Sequence, residues 1–507
     1  MGVPERPPTV FRTMHATQKL SSRLSDNFGF DTFRPGQHQA CSAAMQGRDT
    51  LVLMATGSGK SLCYQLPGLE LEGVTVVVSP LISLAEDQAA HIRELGTHAA
   101  VLNSSKSKKQ ICQYREDIRS GKAEFVFTTP ERLQQSDICD LLAEVGVDIF
   151  VIDEAHCASQ WGHDFRPDYL CLHHARQRLG NPPILAMTAT ASPKTIVEII
   201  RCLKLSDPEM IATGITRPNL RLDVVACVGE KEKTSALRDL FQAESDLDAN
   251  EPAIVYCATT KTCERLRDEL SDLPMPTLCY HGRMKQSLRS ESQSAFMDGP
   301  PAVMFATNAF GLGIDKPDIR RVVHYDLPGS LEAYYQEAGR AGRDGSAAAC
   351  TLFFDREDIG LQKMFASGAI DSSQLMTAHH TLVKGIERWG DDGDGVSLTD
   401  LKRISPLGRQ TLKQCLQQLA ARGYAAPAGR GRWACLLDTI DHAVTDGIAA
   451  DARMRCEDRR IAIDQMVSYA ESSECRWTIL QKHFETSSAS DQLCRCGNCG
   501  GVDADVA

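Results

Sequence analysis

Residues 54–61 read MATGSGKS, with a short apolar run before them at 50–53 and a helical stretch after. Gly57 and Gly59 free the backbone to turn its N–H groups around an anion at the start of that helix. The first glycine of the usual phosphate-loop pattern is replaced by Met54. A strand feeding such a loop and then a helix is a unit of a parallel α/β sheet, so this stretch narrows the possible folds more than any other. Thr56, Gly57, Ser58 and Gly59 supply the cradle, Lys60 reaches the β- and γ-phosphates, and the Ser61 hydroxyl is a magnesium ligand. The expected ligand is a nucleoside triphosphate, ATP when an adenine site is added.

That site is sought just upstream, in DNFGFDTFRPGQHQ at 26–39. Phe30, Arg34 and Gln37 offer an aromatic face, a guanidinium and an amide able to bond an adenine edge. Downstream, the apolar run 147–152 ends in Asp153 and Glu154, at the end of a strand where parallel sheets bind ligands. Asp153 is expected to hold magnesium and Glu154 to orient and deprotonate the attacking water. Trp161, His163, Phe165 and Arg166 follow within a few residues, aromatic faces mixed with positive charge that suit a single nucleic-acid strand. Strands at 74–79, 125–128 and 184–190 close with SPLISL, TTPERL and TAT, placing hydroxyls and amides where they can follow a phosphate backbone.

Apolar runs at 253–257, 303–306 and 321–325 repeat the α/β pattern without a phosphate loop. The segment QEAGRAGRDG, 336–345, carries Gln336, Arg340 and Arg343. The spacing predicts both arginines on one helical face with no evident acidic partner at that spacing, an arrangement suited to arginine fingers that reach a γ-phosphate held by the first domain, with a surface salt bridge as the alternative.

A chain of 507 residues and 55.5 kDa exceeds one ordinary core. Its net charge of −11 rules out a generally basic nucleic-acid coat but leaves room for a local basic groove. No apolar run is long enough for a bilayer, and the N-terminal residues lack a secretory core, so no membrane partner is expected and the protein is expected in the cytoplasm, nucleoid-associated if bacterial. Most of the 19 cysteines are scattered in apolar segments and read as small buried hydrophobes.

The last third has weaker signals. GDDGDG at 390–395 marks a boundary, a helix at 409–422 aligns Leu412, Leu416 and Leu419, and YAAPAGRGRWACLL suggests two strands around a basic wing of Arg430 and Arg432. This is winged-helix-like, with a small helical packing unit as the alternative. Residues 449–484 read as helical and bear Cys475; with Cys494, Cys496 and Cys499 of CRCGNCG they form a candidate closed zinc site, the alternative being an unliganded tail.

Taken in order, FRPGQ, TGSGKS, SPLISL, DEAH with QWGHDFRPDY, TAT, RPNL, YHGRM, FGLGIDKP, HYDLP and YYQEAGRAGRDG resemble the RecQ family of superfamily-2 DNA helicases across residues 18–355. The expected organisation is tails at 1–14 and 501–507, RecA-like domains at 15–215 and 216–360, a helical linker at 361–390, a winged-helix-like segment at 391–440 and a helical zinc-binding subdomain at 441–500. The resemblance implies an α/β fold for the two tandem RecA-like parallel-sheet domains. It further implies ATP-driven 3′-to-5′ movement on single-stranded and forked DNA in repair and recombination, with protein partners undefined. An RNA helicase, a translocase that does not separate strands, and a non-catalytic DNA-binding scaffold stay open as alternatives. Two departures are expected to matter. Val502 stands where the family's last zinc cysteine usually falls, leaving Cys494 to substitute, and the winged-helix-like segment precedes the cysteines. The sequence also stops before the additional helical domain of many relatives.

Overall fold

Seven apolar runs pair into one all-parallel sheet: β1 (Thr50–Leu53), β2 (Val74–Val78), β3 (Ala99–Leu102), β4 (Phe125–Thr128), β5 (Val147–Ile152), β6 (Ile184–Thr188) and β7 (Glu209–Ala212). Their order is β3-β4-β2-β5-β6-β1-β7. The computed structural model describes residues 13–103, 105–159, 165–242, 251–311, 314–390, 395–428, 431–484 and 495–499. Alternate residues of each strand enter different cores: Leu51, Val76 and Phe150 pack on one face, Val52, Val77 and Val151 on the other. Burial on both faces explains why these strands read as unbroken apolar runs. The order sets β6 between β5 and β1, so the DEAH, TAT and phosphate-loop segments leave neighbouring strand ends.

A second parallel sheet contains β8 (Leu220–Ala226), β9 (Ala253–Tyr256), β10 (Thr277–Tyr280), β11 (Val303–Ala306), β12 (Arg321–His324) and β13 (Ala348–Phe354), in the order β10-β11-β9-β12-β13-β8. The edge strand β8 takes a further partner from the cysteine segment. Leu222 N donates to Arg495 O at 3.3 Å and Gly497 N donates to Leu222 O at 3.1 Å. Exposed edges invite unwanted pairing, and this bridge covers part of one.

Both sheets belong to one compact unit, drawn from Met1–Asp358 and Gln465–Ala507; Ile359–Asp464 forms the other. The second unit packs helices Ser372–Trp389, Leu398–Ile404 and Arg409–Ala421 against a small antiparallel sheet of β14 (Val396–Ser397), β15 (Ala425–Pro427) and β16 (Arg432–Cys435). Leu412, Leu416 and Leu419 are buried there with Trp433, as the spacing anticipated. The segment read as a helical linker supplies Ile370, Leu375, Ala378 and Leu382 to the same core. The helix His442–Glu471 runs from this unit into the first. Among the described residues no cysteine is in a disulfide, and no helix is long and apolar enough to cross a membrane.

Under the second sheet, charge is buried in a compensated cluster. Lys233 Nζ donates to both oxygens of Asp358 at 2.7 Å and lies 3.6 Å from Asp326. Asp326 in turn accepts from Ala258 N, and Asp358 from Leu327 N, so the cluster fixes the turns after β9 and β12. Burial raises Asp358 to about 6 even with Lys233 opposing it. Removing the lysine leaves two buried carboxylates uncompensated. Lys233→Ala is therefore expected to destabilise the first unit by about 3–5 kcal/mol, read as an earlier urea or thermal transition.

Candidate functional site

Gly57 and Gly59 both occupy left-handed backbone, with φ of 79° and 83°. The loop they shape is braced from the FRPGQ segment. Arg34 Nη1 donates to Gly57 O at 2.8 Å, and Gln37 Nε2 donates to Gly59 O at 3.0 Å and to Ser58 O at 3.3 Å. Arg34 N donates to Gln37 Oε1 at 2.8 Å, which locks the amide in place. Of the trio read as an adenine site, two members thus hold the phosphate loop itself, while Phe30 is 53% exposed. Ser58 Oγ donates to Ala55 O, and Lys60 Nζ donates to Met54 O at 3.1 Å and Ala55 O at 3.2 Å. Ser61 sits at the start of the helix Leu62–Gly68 and makes no side-chain capping bond. Burial depresses the Lys60 ammonium, against the opposing pull of Glu154 and Asp153.

The two carboxylates stand in different environments. Asp153 accepts from Gln88 Nε2 at 3.2 Å and from Glu154 N at 3.0 Å. Burial, then the neighbouring Glu154 charge, raises it to about 6. Glu154 has φ of 48°, a left-handed conformation that costs about 1–3 kcal/mol at a non-glycine residue and re-aims its side chain. Burial works against its charge, but the hydrogen bond and charge of His156, then Lys60 and Arg340, outweigh it and hold Glu154 low. His156 Nδ1 lies 3.2 Å from Glu154 Oε2 and 3.0 Å from Thr188 Oγ1, tying the DEAH segment to the end of β6. These interactions favour the charged form of Glu154. The Ser61 hydroxyl and the Asp153 carboxylate are hard oxygen donors of the kind magnesium takes.

Arg340 and Arg343 correct one expectation. Their helix, Leu331–Ala338, with Gln336 half-buried on it, stops before them, and both lie in the turn that follows. Arg343 also has an acidic partner, Asp315, at 2.5 Å from a different strand connection. The turn approaches the phosphate loop closely. A Cβ added at Gly339 would lie 3.3 Å from Thr56 Cβ, and one at Gly57 would lie 3.4 Å from Arg343 Cγ. Arg340 is only 3% exposed. Lys60, Arg340 and Arg343 therefore converge with Asp153 and Glu154, three cations and two carboxylates from two sheets.

Around the aromatic-rich segment, Trp161 and His163 lie outside the described residues. Its flanks are anchored: Ser159 Oγ donates to Glu198 Oε2 at 2.5 Å, and Arg166 N donates to Cys157 O at 2.9 Å. The Arg166 guanidinium donates to Pro80 O in SPLISL, and Gln134, just after TTPERL, donates to Asp168 Oδ1 at 2.9 Å. Phe165 is half-buried. Arg166 thus ties this segment to SPLISL, and Asp168 ties it to Gln134 beside TTPERL. Motif reading gives no role to Gln88 or Glu198, since only the fold brings them to their partners.

Cys475, Cys496 and Cys499 place their sulfurs within 4.8 Å of one another. Asn498 Nδ2 donates to Ser472 O at 2.9 Å and Glu474 O at 2.8 Å, holding the turn before Cys475 against the CGNC loop. Cys494 lies outside the described residues. Three thiols so close suit a soft-ligand structural zinc completed by one more donor. The second unit has a cavity of about 640 Å³ lined by Arg409, Gln410, Lys413, Arg432 and Trp433 among others. Arg432 is fixed there by Gly395 O, while Arg430 falls outside the described residues.

Residues 34–199 match the DEAD/DEAH box helicase family and residues 232–345 match the helicase conserved C-terminal domain. The chain is 40% identical over 373 residues to the probable ATP-dependent DNA helicase RecS of Bacillus subtilis (strain 168), spanning 73% of this chain and 74% of that protein. It is 40% identical over 353 residues to the ATP-dependent DNA helicase RecQ of the same organism, spanning 69% of this chain and 58% of that protein. Among solved structures, Mycobacterium smegmatis helicase Lhr bound to ssDNA and AMP-PNP superposes with a TM-score of 0.55 at 20% identity, covering 91% of this chain and 63% of that one, a likeness of fold.

The raised Asp153 value predicts a pH dependence. Its carboxyl titrates near 6, above its ordinary 3.8, so it is charged at neutral pH and takes a proton as pH falls through that value. Magnesium-dependent binding of a fluorescent nucleotide is expected to weaken about tenfold per pH unit below it. A flat titration between neutral and mildly acid pH would contradict the assignment.

Proposed function

Because the chain belongs to the RecQ/RecS family of ATP-dependent DNA helicases, we propose that it couples ATP hydrolysis to 3′-to-5′ translocation on single-stranded DNA and to unwinding of forked duplexes, in repair and recombination. The observation that carries this reading is the approach of the Arg340–Arg343 turn to Thr56 and Gly57, which gives the phosphate loop a second wall from the other sheet. Lys60 and the two arginines face the triphosphate, and Glu154 orients the attacking water. Magnesium held by Ser61 and Asp153 would neutralise charge on the β- and γ-phosphates. In-line phosphoryl transfer needs positioning more than covalent help, so a site split between two sheets turns hydrolysis into a change of their separation.

DNA enters this reading through the aromatic segment. Stacking one base on an aromatic ring is worth about 1–3 kcal/mol by alanine substitution, comparable to the average of about 1.4 kcal/mol for a base-pair step. Trp161, His163, Phe165 and Arg166 would meet the strand, and the Ser159–Glu198 and Arg166–Pro80 anchors would carry its arrival back to Glu154. The basic cavity of the second unit suits duplex phosphates, and zinc on Cys475, Cys494, Cys496 and Cys499 would serve as a structural clip. The reading includes a cytoplasmic location, nucleoid-associated if the source is bacterial.

The test is unwinding of 3′-tailed, 5′-tailed and forked DNA with and without ATP, alongside metal analysis. ATP-dependent opening of 3′-tailed and forked substrates is expected. Opening of 5′-tailed DNA alone would overturn the polarity, and ATP turnover without strand separation would leave a translocase. Glu154→Gln is expected to bind nucleotide normally and to hydrolyse about 10²–10⁴-fold more slowly. Trp161→Ala is expected to keep ATP binding and lose DNA-stimulated hydrolysis; full stimulation in that variant would sink the coupling.

A further inference from the structure

The connector between the two sheets, from β7 to β8, contains Arg217 and Asn219 of the RPNL run. Arg217 is buried, at 9% exposure. Its Nη1 donates to Gly339 O at 2.7 Å and its Nη2 to Gly342 O at 2.5 Å. Asn219 Nδ2 donates to Gly342 O at 2.8 Å and to Ser346 O at 2.9 Å. From the other side, Tyr335 OH donates to Ile215 O at 2.6 Å. Every one of these bonds joins the connector either to the helix Leu331–Ala338 or to the turn that leaves it.

The two carbonyls bracket Arg340 and Ala341, so one guanidinium grips both ends of the segment that presents Arg340. Gly342 has φ of 55°, and a Cβ there would meet Asn219 Nδ2 at 2.6 Å, so the turn needs glycine for the close approach. The same turn lies against Thr56 through Gly339 and against Gly57 through Arg343. A planar fork can hold two carbonyls at once, whereas an ammonium on a flexible stem acts as a point donor.

We propose that Arg217 is a positioning residue for ATP hydrolysis: its grip on Gly339 and Gly342 fixes Arg340 and Arg343 against the phosphate loop and makes the arginine turn move with the connector between the sheets. The proposal rests on the reading that those arginines face the triphosphate. Its consequence is mechanical, since any change in the connector reaches the arginines without passing through the second sheet's core.

The test is a double-mutant cycle in the full chain, with kcat and KM for ATP measured at saturating single-stranded DNA. Arg217→Ala is expected to lower kcat by about 10²-fold, the cost of misplacing a catalytic group by about 1 Å, with KM changed less than about threefold. Arg217→Lys is expected to recover part of the loss, because one carbonyl can still be held. Arg217→Ala combined with Arg343→Ala is expected to be no slower than the slower single variant. Two results overturn the clamp: unchanged kcat in folded Arg217→Ala, or losses that multiply in the double variant. Full activity of Arg343→Ala overturns the underlying reading, and the clamp's role with it. Should Arg217→Ala fail to give a cooperative melting transition, Asn219→Ala decides by the same cycle, with a smaller non-additive fall in kcat expected and an unchanged kcat overturning the proposal.

Discussion

Charge buried in one cleft has to be balanced before anything else in this protein can work. Lys60, Arg340 and Arg343 face Asp153 and Glu154, and each group shifts its neighbours: burial depresses Lys60, Glu154 raises Asp153, and His156 with Lys60 and Arg340 holds Glu154 down. Asp315, paired with Arg343, adds a third carboxylate to the set. Such a cluster needs fixed geometry, because unpaired charge at low dielectric is costly. The surrounding hydrogen bonds supply that geometry: Gln88 on Asp153, Arg34 and Gln37 on the phosphate loop, and Arg217 on the arginine turn.

Each brace comes from a different part of the chain, which links the charged cleft to the nucleic-acid side. His156 joins Thr188, Ser159 joins Glu198, and Arg166 joins Pro80, so the end of β6 and the SPLISL turn are bonded to the segment that follows Asp153 and Glu154. The strained Glu154 backbone lies at the centre of this set. A residue held in an uncommon conformation by its surroundings can be reset when they shift, and here they include the flanks of the aromatic segment.

Local signals in the sequence carried much of the architecture. Unbroken apolar runs such as 147–152 and 303–306 became buried parallel strands, and the TGSGKS and DEAH segments fell at neighbouring strand ends because β6 alone separates β5 from β1. Reading failed where the partner is distant in sequence. Arg343 has no acidic partner at helical spacing because its partner, Asp315, lies 28 residues away on another connection, and the helix ends at Ala338, before both arginines. Gln37 is read for adenine on its chemistry, and its bond to Gly59, across 22 residues, is one that only the fold supplies. RPNL carried the resemblance to the family without a role, which only its contacts supply.

The account depends most on a site completed from the second sheet. The direct measurement is ATP turnover by Arg340→Ala with saturating single-stranded DNA, beside nucleotide affinity and the melting transition of the same variant. Nucleotide affinity near that of the parent, with turnover lower by about 10³-fold or more, is the predicted result. Parental turnover in a folded Arg340→Ala protein would contradict it, leaving hydrolysis to the first sheet alone.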